Sequence, residues 1–171
     1  MKDRDSLDPP VILRATLHAD GGSRGNPGES GIGYVLEAAD VQGVPYTVSC
    51  GGFYIGQATN NQAEYHALIW GIENALFKRV RMLTIEMDSE LVVKQIKGQY
   101  RVKNAQLKPL YQFVLQLLQG FYSYEIRHVY RSENSMSDKL ANQAMDARQS
   151  VGNYDVEYVV MNATSEQGLN L

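Results

Sequence analysis

Apolar residues along this chain recur with two different periods, and the change between them organises it. Residues 11–19, 30–37 and 44–56 are short stretches rich in Val, Ile, Leu and Tyr, bounded by Gly, Asp and Pro. They read as three successive strands with short connections, an antiparallel meander. From 61 to 78 the spacing lengthens. Tyr65, Leu68, Ile69, Ile72, Ala75 and Leu76 fall three and four apart, which marks one face of a helix, and Thr59 and Asn60 are placed to cap it. Residues 82–87 return to a strand, a helix begins near Ser89, and 98–106 is a polar loop. A third helix over 109–118 stops at Gly120; 124–130 is a strand; 137–148 is a closing helix with Leu140, Ala141, Ala144 and Met145 inward. Residues 154–161 alternate enough to make one more strand, an edge or a dimer contact.

The order β-β-β-α-β-α-α-β-α describes one α/β domain over 11–149, with a flexible lead-in at 1–10 and a C-terminal extension at 150–171. A length of 171 residues with 44% hydrophobic content is enough to bury a core without staples. The one cysteine, Cys50, cannot form an internal disulfide. No run approaches the roughly 18 apolar residues of a membrane span, and the opening residues lack an apolar stretch of the export-signal kind. A soluble, cytoplasmic protein without an organic cofactor is the expectation. The net charge of −3 is not that of a typical nucleic-acid binder, but its distribution is uneven. Asp155, Glu157 and Glu166 supply the whole deficit, whereas residues 91–124 carry Lys94, Lys97, Arg101, Lys103 and Lys108 with no acid. Alone, that segment reads as a solvated face.

The chemistry begins at Asp20-Gly21-Gly22-Ser23-Arg24-Gly25-Asn26-Pro27-Gly28. Asp20 closes the first predicted strand where a glycine-dense turn takes over. A right-handed crossover through the long helix makes strands one and four parallel neighbours, about 5 Å apart. Asp88 closes the fourth strand, so it emerges beside Asp20 at the edge where open α/β sheets bind ligands. Glu64, read as a first-turn residue of the long helix, and Asp138, opening the last helix, converge there too. Each acid also has a structural reading: Glu64 and Asp138 as first-turn residues favoured by the helix dipole, Asp88 as a helix cap, and Asp-Gly-Gly as an ordinary strand end. Four carboxylates together repel one another unless cations sit among them, and such oxygen ligands suit Mg²⁺ or Mn²⁺.

These residues resemble ribonuclease HI. The Asp20 to Gly28 block, Thr59-Asn60-Asn61-Gln62-Ala63-Glu64, Asp88-Ser89 and residues 134–142 (Asn-Ser-Met-Ser-Asp-Lys-Leu-Ala-Asn) look like that family's four motif blocks, in order and spacing, over about residues 12–147. The resemblance implies an α/β ribonuclease H-like fold, a five-stranded mixed sheet of order 3-2-1-4-5 flanked by helices on both faces. It implies hydrolysis of the RNA strand of RNA/DNA hybrids by two Mg²⁺ or Mn²⁺ ions, giving 5′-phosphate and 3′-hydroxyl ends. Asp20, Glu64, Asp88 and Asp138 are then the metal ligands. Gly21, Gly22, Ser23, Arg24, Gly25, Asn26, Thr59, Asn60, Asn61 and Gln62 line the RNA side, and Lys94 and Arg101 meet the DNA strand's phosphates.

The link over 98–108 is too short for the basic protrusion of the best-known bacterial members, so the chain looks like the compact branch. His128 falls inside the fifth strand and reads as structural, which leaves Arg131 as the preferred phosphate-facing auxiliary. Two rivals stand beside this reading. One is a non-catalytic hybrid-binding module on the same fold. The other is a serine hydrolase using Ser23, whose Gly-x-Ser-x-Gly pattern needs a strand before the serine and a helix after it.

Overall fold

The structure, a computed structural model, describes residues 10–153. The expected lead-in therefore lies outside the described residues apart from Pro10, as does the strand expected over 154–161. Three antiparallel strands, β1 (Ile12–Gly25), β2 (Gly28–Ala39) and β3 (Pro45–Ala58), are followed by α1 (Asn60–Phe77), β4 (Val80–Met87), α2 (Glu90–Ile96), α3 (Leu107–Leu118), β5 (Ser123–His128), α4 (Ser135–Ala147) and β6 (Val151–Asn153). A single 3-10 turn, Arg131–Glu133, precedes α4. The sheet order is β5-β4-β1-β2-β3-β6. This is the expected 3-2-1-4-5 order with one strand added, because the chain turns back after α4 and three residues pair antiparallel with the outer edge of β3.

The crossover through α1 makes β1 and β4 parallel partners, in register from Ile12 opposite Val80 to His18 opposite Glu86. β5 adds to β4, also parallel. Thr59 starts α1 with a reciprocal cap: its hydroxyl accepts from the Gln62 N–H, and Gln62 Oε1 accepts from the Thr59 N–H at 2.9 Å. α1 lies between the sheet and α3, so it is buried on most of its circumference. Leu17, Ile32, Leu36, Ile85, Leu68 and Ile72 belong to one core cluster on that side. α4 covers the other face of β2 and β3, and its Leu140, Ala141, Ala144 and Met145 are buried there.

One expectation is corrected. Asp20 does not close a strand, and Gly21 and Gly22 are not a turn. β1 runs on to Gly25, paired with β2 through Asp20 opposite Gly33 and Gly22 opposite Gly31. What stops near Asp20 is the pairing with β4, so the carboxylate still sits at an open edge. Gly21 serves close packing instead, as do Gly33 and Gly52. A Cβ on Gly21 would lie 2.2 Å from the Ala63 carbonyl oxygen in α1. On the other face, a Cβ on Gly33 would lie 2.0 Å from the Ser137 carbonyl oxygen and one on Gly52 2.3 Å from that of Leu140. Helix backbones thus rest directly on strand backbones at this end of the sheet.

Gly33→Ala must push α4 off the sheet. It is expected to lower the unfolding free energy by about 1–3 kcal/mol in a urea titration, the usual cost of overpacking. Gly22→Ala is the control: its Cβ would meet only the Met145 Cε, at 3.7 Å, and stability should change little.

Candidate active site

The close seating of α1, with the parallel pairing of β1 and β4, brings acids from three segments to one point. Asp20 from β1, Glu64 from α1 and Asp88 just after β4 each offer a carboxylate oxygen, and the three oxygens lie within 4.8 Å of one another. Asp20 is 7% exposed and Glu64 6%. Glu64 is the fifth residue of α1, past the first turn, so the dipole reading of it falls away. It is held instead by the Gly21 N–H, which donates to Oε2 at 3.2 Å. Asp88 is not a helix cap either: Ser89 takes that position, and the Asp88 carboxylate accepts from Asn134 Nδ2 at 3.0 Å.

Packing two of these carboxylates, Asp20 and Glu64, out of water works against their ionisation. Burial, then the charges of Asp88 and Asp138, push the Asp20 carboxyl up to about 8. Burial and then the charge of Asp20 raise that of Glu64, against the opposing pull of the Gly21 N–H. An all-oxygen donor set in which buried Asp20 and Glu64 resist ionisation in the absence of positive charge fits a hard divalent cation.

Asp138, in the first turn of α4, faces the same cleft but is not one of the three clustered acids. Its Oδ1 accepts from Arg131 Nη2 at 2.7 Å and from Asn142 Nδ2 at 3.4 Å. The bond to Asp138 and the charge of that carboxylate hold the guanidinium of Arg131 more firmly protonated than usual. Arg131 lines the cleft from the 3-10 turn. His128 does not; it ends β5, exposed, with its ring edge-on to Tyr130.

The cleft has a volume of about 310 Å³, and Gly21, Gly22, Ser23, Arg24 and Asn60 line it with the acids. Arg24 Nη2 donates to Asp146 Oδ1 of α4 at 2.6 Å. Asn26, exposed beyond the end of β1, accepts from the Asn60 N–H at 3.2 Å, tying the β1–β2 hairpin to the start of α1. Thr59 and Gln62 are engaged in the helix cap, with the half-buried Asn61 beside them. The Ser23 hydroxyl donates to the Ala58 carbonyl oxygen at 2.9 Å, from within a strand and with no helix following. The serine-hydrolase arrangement is therefore absent.

Lys94 and Arg101 lie away from the acids. Lys94 pairs with Glu90 at 2.6 Å and lies 4.9 Å from the centre of the Tyr100 ring, so an acid just outside the basic segment offsets part of its charge. Arg101 lines a separate groove with Tyr100, Lys108 and Tyr111. A larger hollow, about 430 Å³, opens on the sheet near Arg14, Thr16, Thr84 and Glu125, but it holds none of the clustered acids. Asn134 and Asn142 carried no expected role. Asn134 stands before a helix, where its residue type reads as a cap, and Asn142 gives no local signal at all.

Comparison with known proteins agrees with the architecture. A family profile described as "Reverse transcriptase-like" matches residues 18–144. Ribonuclease HI of Halobacterium salinarum is 41% identical over 133 residues, covering 78% of this chain and 65% of that protein. The crystal structure of RNase H1 from that archaeon superimposes with a TM-score of 0.73 at 40% identity, over 78% of this chain and 98% of that one. A bifunctional protein of Mycobacterium tuberculosis is 41% identical over 135 residues, but the match is 79% of this chain and only 36% of that protein. The chain thus spans about a third of that relative's length. LC11-RNase H1, solved in complex with an RNA/DNA hybrid, gives a TM-score of 0.70 at 35% identity, over 78% of this chain and 98% of that one. With a ten-residue link between α2 and α3 where a basic protrusion would stand, the chain belongs to the ribonuclease H family, in its type 1 compact branch.

Proposed function

We propose that this protein hydrolyses the RNA strand of RNA/DNA hybrids with two Mg²⁺ or Mn²⁺ ions, leaving 5′-phosphate and 3′-hydroxyl ends. The observation that carries the reading is the clustering of Asp20, Glu64 and Asp88 in a cleft, two of them buried. A protein that only bound hybrid would gain nothing by concentrating negative charge where phosphate must sit. The similarity to a ribonuclease HI and to a structure holding hybrid supports the substrate class.

Asp20, Glu64 and Asp88 would hold the ions, with Asp138 as the fourth ligand. When bound, divalent ions supply charge neutralisation at the scissile phosphate and a water of lowered pKa. The chain's own residues do the rest. The Gly21 N–H keeps Glu64 turned into the cluster. Arg131 holds positive charge at the mouth, and its fork suits a phosphate as well as it suits Asp138. Asn60, with Asn26 behind it, Asn61, Gln62 and the strand backbone from Gly21 to Gly25 form the RNA-facing wall. Amides both donate and accept, which is what reading a 2′-hydroxyl needs. Lys94, Arg101 and their basic neighbours take the phosphates of the other strand.

The direct test is cleavage of a labelled RNA/DNA hybrid, an RNA duplex and a DNA duplex with Mg²⁺, Mn²⁺ or EDTA. Only the RNA of the hybrid should be cut, and EDTA should abolish the cutting. Asp88→Asn is expected to lower the cleavage rate by at least about 100-fold while hybrid binding survives; unchanged cleavage would remove Asp88 from the site. Arg101→Ala should weaken hybrid binding without changing sequence preference. The slope of log affinity against log salt should become shallower by about one, which fluorescence anisotropy can measure.

The raised Asp20 carboxyl also fixes a pH dependence for the metal-free protein. Folded Asp20 keeps its proton up to about pH 8, whereas the unfolded chain releases it near its ordinary value of 3.8. Between these limits the folded state holds more protons, so stability is full at low pH and falls as pH rises to about 8. In EDTA the Tm should therefore drop from pH 5 to pH 8. Asp20→Asn should flatten the dependence, and Mg²⁺, which binds the ionised form, should restore the lost stability most strongly at pH 8.

A further inference from the structure

Asn134 is 1% exposed, and its side chain joins three elements. Nδ2 donates to the carbonyl oxygen of Ala19 at 2.9 Å and to Asp88 Oδ1 at 3.0 Å. Oδ1 accepts from the Ser137 hydroxyl at 2.6 Å. Both amide hydrogens and the amide oxygen are engaged, so the group has a single orientation. Ala19 is the peptide immediately before Asp20, and Ser137 sits beside Asp138 in the first turn of α4. One amide therefore ties the strand carrying the first acid, the carboxylate of the third, and the helix carrying the fourth.

The placement is unusual for the residue type. An asparagine just before a helix ordinarily accepts from the backbone N–H two or three residues on, and Asn134 makes no such bond. It is turned inward instead. A carboxylate at this position could not substitute, since it would set an acceptor against both the Ala19 carbonyl and Asp88 and add charge to an acidic cluster. Serine or alanine could not reach both acceptors.

We infer that Asn134 is a positioning residue that orients the Asp88 carboxylate for its cation, with Ser137 fixing the orientation of Asn134 in turn. The inference rests on the reading of Asp20, Glu64 and Asp88 as metal ligands. Hydrogen-bonded partners behind a ligating carboxylate commonly carry 10–100-fold in metal affinity. Asn134 acts through Asp88 and does not itself meet the ion.

The test is calorimetric titration of Mn²⁺ into the substrate-free protein, alongside melting in EDTA and separate kcat and KM for hybrid. Asn134→Ala, which removes the bond to Asp88 without adding charge, should weaken Mn²⁺ binding at least about 10-fold, with KM for hybrid at saturating metal close to that of the unaltered chain. Ser137→Ala, which leaves the bond to Asp88 in place but frees the amide to turn, should weaken Mn²⁺ binding less and in the same direction; it decides the question should Asn134→Ala not fold. Unchanged Mn²⁺ affinity in the folded variants, with only a lower Tm, would overturn the inference and leave Asn134 a structural link. Asp88→Asn separates the two levels. Loss of Mn²⁺ binding there but not in Asn134→Ala sinks this inference alone, whereas undiminished binding in Asp88→Asn sinks the ligand reading and this inference with it.

Discussion

Direct contact between helix and strand backbones at one end of the sheet is the constraint on which the site depends. Gly21 lets α1 approach β1 until the Ala63 carbonyl occupies the space of a side chain, and Gly33 and Gly52 let α4 do the same from the other face. Any larger residue would hold the helices off by a methyl group or more. Glu64, one residue beyond Ala63, and Asp138, one beyond Ser137, would then lie farther from Asp20. Gly21, in the Asp20 to Gly28 block, thus matters less for bending the chain than for the atoms it lacks.

That closeness has an electrostatic consequence. Three carboxylate oxygens within 4.8 Å, two of them on buried residues, form an arrangement that a folded chain resists unless positive charge offsets it. Arg131 supplies some from the rim, and the Gly21 N–H and Asn134 amide supply partial charge from within. The remainder shows in the protonation of Asp20, which burial and its neighbours raise to about 8. A divalent ion would replace that proton.

Much of this was legible from local pattern. The strand, helix and loop order follows the change of period from two to near four, and every core helix and strand from 11 to 148 lies close to its expected place. The parallel pairing of β1 and β4 follows from the crossover rule. Expectation and structure parted where one local signal serves two physical ends. The Gly21-Gly22 pair reads as a turn because glycine's conformational freedom is its commonest use, yet here both lie in a strand and Gly21 serves packing. Asp88 before Ser89 reads as a cap because both types cap helices. Lys94 reads as part of an acid-free basic segment, and Glu90, four residues earlier on the same helix face and just outside that segment, pairs with it. The added strand Val151–Asn153 is too short to show any period.

By itself the amino-acid sequence determined which elements form, that β1 and β4 lie side by side, and which four acids come from segments able to meet, since these follow from spacing, chirality and residue type. Only the tertiary structure decided that Asp20, Glu64 and Asp88 cluster while Asp138 pairs with Arg131. It alone decided that Asn134 turns away from its helix to hold Asp88. Those outcomes depend on how closely two helices settle on opposite faces of one sheet, a distance set jointly by glycines on three strands and carbonyl groups on two helices. No window along the chain contains them together.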